Sequence, residues 1–177
     1  MSEADEDEPP APGVRNLTST GAEATERIGA ELAARLAPGD VVLISGELGT
    51  GKTTLVRGLC RALGVSEPVT SPTYTIGQTY RGRTAASHIA AASHPSAESH
   101  IAGGNEVTIC HLDLYRITDL ESEEAGLLDE YLGPDRITLI EWPGVGAESL
   151  ALAAVRARVE IEHRSTEARE LRVECLA

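Results

Sequence analysis

Gly46-Glu47-Leu48-Gly49-Thr50-Gly51-Lys52-Thr53 is the stretch that decides the fold of this chain of 177 residues. It matches the phosphate-binding loop pattern G-x-x-x-x-G-K-[ST] at every fixed position. An apolar, β-branched run at 41–44 precedes the loop and is typical of a buried strand. The segment 54–63 follows it with leucines at helical spacing, and a glycine stands at 64, where a helix end is expected. Strand, loop and helix in this order predict a P-loop within an α/β fold.

The chemistry of this loop follows from its residue types. Glycines let the backbone wrap closely around an anion, so that N–H groups and the helix N-terminus point at phosphate oxygens. Lys52 is expected to reach the β- and γ-phosphates of a nucleotide, and the hydroxyl of Thr53 to bind Mg²⁺. The predicted nucleotide-binding residues of this stretch are Glu47, Leu48, Gly49, Thr50, Gly51, Lys52, Thr53 and Thr54.

The length and composition of the chain limit the classes of protein to which it can belong. The length suits a single domain with a substantial core, and because phenylalanine is absent that core must consist mainly of Leu, Val, Ile and Ala. The net charge is −13, and five of the negative charges lie before the first basic residue, which leaves −8 for the remainder. A chain with this charge and no basic patch is poorly suited to hold a nucleic-acid backbone by itself.

Three cysteines lie far apart in apolar surroundings and are interpreted as reduced core residues: Cys60, Cys110 and Cys175. No apolar run approaches the length of a membrane span, and the acidic N-terminus is unlike a signal or transit peptide. We therefore expect a cytoplasmic protein that does not act at a membrane.

Two segments differ in composition from the rest. Residues 1–13 are acidic and rich in proline, which predicts a disordered tail before a single P-loop domain at 14–177. Residues 82–105 are rich in Ala, Ser and His and are interpreted as a flexible insertion in a hairpin. Three histidines recur there every six residues, which would permit a metal-binding tract. That spacing suits neither face of a helix, and no cysteine or carboxylate cluster completes a metal site.

Periodicity predicts the elements around the P-loop. Thr20-Gly21-Ala22-Glu23 has the form of a capping box at the start of a helix that ends at Pro38-Gly39. The segment 119–132 begins with acidic residues, which favour a helix N-terminus. The remaining patterns indicate strands, among them an edge strand and two hairpins, at 14–18, 74–80, 107–113, 137–142, 155–162 and 169–176.

Carboxylates end two of the predicted strands, Asp113 and Glu141. Beside a P-loop, a strand-end carboxylate can hold Mg²⁺ directly or through water, and we favour Glu141 for that role. Asp113 competes for it, since one carboxylate can bind the metal while the other orients water, and the spacing leaves this open. Trp142 follows Glu141, and we expect Pro143 to hold it extended at the mouth of the site as a lid or partner anchor. A place in the core is the alternative for this residue.

Several of these stretches together resemble the TsaE family, small bacterial ATPases of tRNA threonylcarbamoyladenosine synthesis. The P-loop alone is generic, but the combination of motifs in this order is specific. The matching stretches are GELGTGKTT (46–54), SPTYTI (71–76), HLDLYR (111–116), the acidic E-x-E-E-x-G of 121–126, and IEWP (140–143).

This resemblance implies a P-loop NTPase-like three-layer fold, with a mainly parallel central sheet and flanking antiparallel strands. It implies that Thr53 and Glu141 hold Mg²⁺ and that 71–75 is a switch-like loop. An arginine in the last strand is expected to contact the nucleotide, and we assign it to Arg169. The resemblance places catalysis on Lys52, Asp113, Glu141 and Trp142.

The implied function is ATP hydrolysis alongside two TsaB- and TsaD-like proteins, which form the threonylcarbamoyl-transfer complex on adenosine 37 of tRNAs reading ANN codons. Hydrolysis is expected to be slow alone, to be stimulated by these partners and to reset the complex, with tRNA contacted only indirectly. The residues alone also permit a P-loop small-molecule kinase. A kinase usually has an arginine-rich lid, whereas Arg83 is the only basic residue in the insertion apart from its histidines.

Overall fold

The computed structural model describes residues 13–72, 75–84, 105–117, 128–143 and 154–176. Within these ranges it contains two helices and seven strands. In chain order they are β1 (Val14–Thr20), α1 (Ala22–Ala33), β2 (Val41–Gly46), α2 (Lys52–Ala62), β3 (Gly77–Arg83), β4 (Glu106–Asp113), β5 (Arg136–Glu141), β6 (Val155–His163) and β7 (Ala168–Cys175).

All seven strands form one sheet in the order β1-β7-β6-β2-β5-β4-β3. The four central strands, β6, β2, β5 and β4, run parallel to one another. At one side β3 pairs antiparallel with β4, and at the other β7 and β1 continue the sheet in antiparallel pairing. The predicted fold class, a mainly parallel central sheet with flanking antiparallel strands, is confirmed.

Each face of the sheet carries a separate apolar cluster. On one face α1 and α2 cover alternate residues of the strands, including Ile44, Leu139 and Ile161. The other face packs Leu43 and Ile140 against side chains from 114–117 and 128–132. Parallel strands buried on both faces read as near-continuous apolar runs, which is the pattern of β2 and β5.

Both predicted hairpins are confirmed, as β3–β4 and β6–β7, and β1 is the predicted edge strand. The helix predicted at 119–132 lies mostly outside the described residues, as do 1–12 of the tail and 85–104 of the insertion with its three histidines. No described helix has the length and apolarity needed to cross a bilayer. All three cysteines are free, and burial raises the pKa of the Cys60 thiol to about 12.

The predicted capping box at the start of α1 is wrong. Thr20 is still part of β1, where it is paired with Ala168, so its side chain is not at the N-cap. Gly21 takes that position at a φ of 84° and offers no side-chain cap. The hydroxyl of Thr25 instead donates to the Gly21 carbonyl at 3.3 Å, inside the first turn. Strand pairing therefore displaced a local capping pattern.

Glycines allow α1 and α2 to approach backbone to backbone. A Cβ added to Gly29 would lie 2.4 Å from the carbonyl oxygen of Leu55, and one added to Gly58 would lie 2.1 Å from that of Glu26. Real Cβ atoms do not tolerate such distances, so these two positions set how closely α1 lies against the P-loop helix. The close packing brings the start of α1 beside the loop.

Replacing Gly58 by alanine tests this contact. We expect Gly58→Ala to lower the free energy of unfolding by about 2 kcal/mol because the helices must move apart, although alanine is favoured over glycine in helices by about 1 kcal/mol. Arg27→Ala, on the exposed face of α1, is the control and should change it by no more than about 0.5 kcal/mol. Urea unfolding followed by circular dichroism measures both. A Gly58→Ala protein as stable as the wild type would contradict the contact.

Candidate nucleotide and metal site

The P-loop joins the carboxyl end of β2 to the start of α2, as its sequence predicted. Gly46 begins it at a φ of 140°, and an added Cβ there would lie 2.3 Å from the carbonyl oxygen of Ile161 on β6. Thr50 closes the loop by donating from its hydroxyl to the Glu47 carbonyl at 2.9 Å. The loop is thus shaped by its own backbone contacts, with the N-terminus of α2 directed into it.

Lys52 lies within the loop with only 5% of its surface exposed. Its Nζ donates to the carbonyl oxygens of Gly46 at 2.8 Å and Glu47 at 2.7 Å. The same atom lies 3.9 Å from the centroid of the Trp142 ring, a cation–π distance. Burial lowers the pKa of Lys52, and the negative charges of Glu141 and Asp113 partly offset this. A phosphate placed in the loop would add a third negative charge near this ammonium.

Glu141, the last residue of β5, faces Thr53 at the start of α2. The Thr53 hydroxyl lies 2.9 Å from Oε1 and 3.1 Å from Oε2 of Glu141. The contact arises because β2 and β5 are parallel neighbours that pair Ile44 with Glu141, so both strands end beside the loop. A hydroxyl and a carboxylate oxygen are a donor set that fits Mg²⁺, which commonly takes one or two protein oxygens plus phosphate and water.

Asp113, the last residue of β4, has different partners. It is paired with Glu141 in the parallel β4–β5 ladder, but its Oδ2 accepts a hydrogen bond from the Ser71 hydroxyl at 2.7 Å. Its Oδ1 accepts from the backbone N–H of Tyr115 at 3.1 Å. Asp113 therefore joins the site to the predicted switch-like loop, of which 73–74 lie outside the described residues. The contact with Thr53 belongs to Glu141.

His111 is a site residue to which the sequence reasoning assigned no role. It is fully buried, and its Nε2 lies 2.8 Å from Oε1 of Glu141. A signal was present, since His111 and Asp113 are two residues apart in a strand and so share a face of the sheet. The pairing across strands that brings His111 to Glu141 was not visible in the sequence.

Trp142 differs from its predicted conformation. It is not extended but has a φ of 55°, and it is the only residue other than glycine with a positive φ in the part of the chain that the structure describes. Its N–H donates to the Ile44 carbonyl at 3.0 Å, which continues the β5–β2 ladder. Its half-buried ring lies 4.9 Å from that of Tyr115, between centroids. The expectation of a ring at the mouth of the site agrees with this position.

Arg169 and the P-loop line one cleft. It has a volume of about 540 Å³, and its walls include Gly49, Gly51, Thr54 and, from the start of β7, Arg169. The Arg169 Nη1 donates to carbonyl oxygens of its own hairpin, those of Ser165, Thr166 and Ala168, at 3.0–3.3 Å. The structure thus joins Lys52 to Trp142 and Thr53 to Glu141 beside the P-loop. It places Arg169 on a cleft at that loop, but none of the contacts described for Arg169 is with these residues or with Asp113.

The backbone of Trp142 allows a test that separates strain from ring contacts. Trp142→Gly should be more stable than Trp142→Ala by about 1 kcal/mol, because a left-handed conformation costs a residue with a Cβ about 1–2 kcal/mol. At Thr79, an exposed strand position, Thr79→Ala should instead be more stable than Thr79→Gly, since glycine weakens regular elements by about 0.5–1 kcal/mol. Denaturant unfolding of the four variants by circular dichroism measures this. Trp142→Ala as the more stable member of its pair would show that the backbone is unstrained.

Comparisons with known proteins identify the family of the chain. The model of the TsaE family, described as threonylcarbamoyl adenosine biosynthesis protein TsaE, matches residues 19–171. A tRNA threonylcarbamoyladenosine biosynthesis protein TsaE from Streptomyces coelicolor is 37% identical over 134 residues, 75% of this chain and 76% of that protein. One from Bacillus subtilis is 32% identical over 84% of this chain and 78% of its own length. One from Synechocystis is 36% identical over 68% of this chain and 64% of that protein.

A solved structure supports the fold alone. The crystal structure of YdiB from Bacillus subtilis superposes with a TM-score of 0.60, covering 93% of this chain and 86% of that one, at 23% sequence identity. The family model covers nearly the whole chain, and the relatives exceed 30% identity over more than two thirds of it. The chain belongs to the TsaE family.

Proposed function

We propose that this protein binds and hydrolyses ATP with Mg²⁺, as a component of the bacterial system that forms N6-threonylcarbamoyladenosine at position 37 of tRNAs reading ANN codons. The observation that carries the proposal is the contact between the Thr53 hydroxyl and the Glu141 carboxylate at 2.9 Å, beside the buried ammonium of Lys52. A P-loop hydroxyl and a strand-end carboxylate in contact supply the kind of protein oxygens that Mg²⁺ takes together with phosphate and water.

The roles of the residues follow from their positions. The loop N–H groups and Lys52 would hold the phosphates, and Thr53 with Glu141 would hold Mg²⁺, which neutralises charge on the transferring phosphoryl group when bound. Asp113 has no contact with Thr53 among the described hydrogen bonds, which favours a role in orienting the attacking water. Arg169 lines a cleft beside the P-loop, where it can contact the part of the nucleotide outside the phosphates.

The surroundings of the Lys52 ammonium suit phosphate binding even without a bound nucleotide. Its stem is buried, and its ammonium is held by two loop carbonyls and the Trp142 ring. A phosphate oxygen would replace a neutral acceptor with a negatively charged one, which adds direct attraction between the phosphate and the ammonium. Because the Lys52 ammonium is already removed from water in the folded protein, nucleotide binding does not have to supply most of the free energy of desolvating it.

The surface beside Asp113 supports action with partners. A cleft of about 410 Å³ is lined by Asp113, Trp142 and the two large apolar side chains that are most exposed in the described structure, Leu48 at 75% and Tyr115 at 57%. Exposed aromatic and aliphatic groups grouped around a cleft are typical of interaction sites. We assign this surface to one of the two TsaB- and TsaD-like partners.

The proposed role of hydrolysis is to reset the transfer complex between turnovers in the cytoplasm. The chain carries a net charge of −13, so we expect it to reach tRNA through its partners rather than by direct contact with the phosphate backbone. No observation in the described structure favours the small-molecule kinase over this role.

The dependence on partners can be measured directly. We expect the isolated protein to hydrolyse ATP slowly and the two partner proteins to raise its turnover by at least roughly tenfold, since one supplied positive charge can contribute about 10³. Phosphate release assays with and without the partners test this. Rapid turnover by the protein alone would contradict it. Arg116, which lines the Asp113 cleft, would then be the candidate internal charge, and Arg116→Ala compared with Arg27→Ala would identify it.

The assignment of Mg²⁺ to Glu141 has its own test. Glu141→Gln keeps the size of the side chain but removes its charge, so we expect Mg²⁺-dependent hydrolysis to fall at least roughly 10²-fold while metal-free ATP binding persists. Lys52→Ala should weaken ATP binding itself. Glu106→Gln, at the far end of β4, is the control and should behave like the wild type. Calorimetry measures ATP binding, and phosphate release measures hydrolysis. Intact turnover in Glu141→Gln would assign metal binding to Asp113 instead.

A further inference from the structure

The side chain of His111 contacts the proposed metal ligand and no other polar group among the described residues. Its Nε2 contacts Oε1 of Glu141 at 2.8 Å, and its side chain has no exposed surface. Its other ring nitrogen, Nδ1, is buried and without a hydrogen-bond partner among the described residues. Carboxylate oxygens accept hydrogen bonds, so Nε2 carries the hydrogen and donates it.

This arrangement is costly for a residue that only fills space. A buried polar atom without a partner destabilises the folded protein, and an apolar side chain of similar size would avoid that cost. A histidine that serves packing alone usually satisfies both ring nitrogens. Here the fold satisfies only the nitrogen that touches Glu141.

The donors around Glu141 are unequally distributed between its two oxygens. Oε1 accepts from His111 at 2.8 Å and lies 2.9 Å from the Thr53 hydroxyl. Oε2 has only the longer contact to Thr53, at 3.1 Å. The hydrogen bond from His111 therefore fixes the rotation of the carboxylate and leaves Oε2 as the oxygen available to a cation.

We propose that His111 is a positioning residue, which holds Glu141 so that Oε2 faces the metal beside Thr53. This rests on the proposed function in one respect, that Glu141 binds Mg²⁺. Partners that orient a metal ligand commonly change metal affinity by about 10–100-fold when they are removed, without touching the metal themselves.

A matched pair of substitutions separates positioning from packing. His111→Met provides an apolar side chain of similar length that has no hydrogen-bond donor. His111→Gln provides an N–H₂ donor able to reach Glu141. We expect His111→Met to weaken metal binding about 10–100-fold in a protein that still folds, since losing the unpartnered Nδ1 and losing the hydrogen bond to the buried Glu141 carboxylate act on stability in opposite directions. His111→Gln should restore most of the affinity.

The readout is Mn²⁺ binding in the presence of ADP, measured by electron paramagnetic resonance, so that no turnover is needed. Metal-free ADP affinity should be equal in all variants. If Glu141→Gln loses Mn²⁺ but His111→Met keeps it, the positioning role is wrong and the metal site stands. If Glu141→Gln keeps wild-type Mn²⁺ affinity, the metal assignment itself is wrong and the inference falls with it.

A measurement on the wild type covers the case in which His111→Met fails to fold. In ¹⁵N-labelled protein, the Nε2 signal of His111 should show a bound hydrogen and should shift when Mg²⁺ is added to the ADP-bound protein. Mg²⁺ added to Glu141→Gln should produce no such shift. An Nε2 without a hydrogen, or one unaffected by Mg²⁺ in the wild type, would overturn the proposal.

Discussion

The hydrogen bonds between Thr53 and Glu141 are the interaction on which the site depends. They join the first turn of α2 to the end of β5, and they require β2 and β5 to be parallel neighbours in one register, with Ile44 opposite Glu141. A shift of one residue in that register would turn the carboxylate to the other face of the sheet. The residues of β5 that precede Glu141 are buried on both faces, so a shifted register would require the cores on both faces to repack.

The pairing of β4 with β5 places a second carboxylate beside Glu141. Asp113 lies opposite Glu141 in the β4–β5 ladder, so the two carboxylates are neighbours at one edge of the sheet, yet they contact different groups. Residues at the carboxyl ends of parallel strands meet in this way in α/β proteins generally. What distinguishes this site is that each carboxylate already has a hydroxyl partner from a different segment of the chain, Thr53 for one and Ser71 for the other.

Those features of the site that depend on local sequence were predictable, and those that depend on pairing between distant strands were not. The P-loop, the strand before it and the carboxylate at the end of β5 each follow from a few consecutive residues, and the structure places them together. The capping pattern at Thr20 was also local, but β1 pairing with β7 overrode it. His111 was missed because its contact crosses 30 residues of sequence, a separation that periodicity does not record.

Trp142 shows how the fold holds a residue in a conformation that its sequence disfavours. A large side chain before a proline disfavours a φ of 55° on two grounds, and such strain persists only where surrounding contacts over-determine it. Here the N–H is bonded to the Ile44 carbonyl, while the ring contacts both the Lys52 ammonium and the Tyr115 ring. One of those contacts is with the cation proposed to hold phosphate, and the other is with an exposed residue of the proposed partner surface. Because each contact helps to offset the strain, weakening either one would lower the stability of this backbone conformation. The conformation of Trp142 is therefore linked energetically to both the phosphate site and the partner surface.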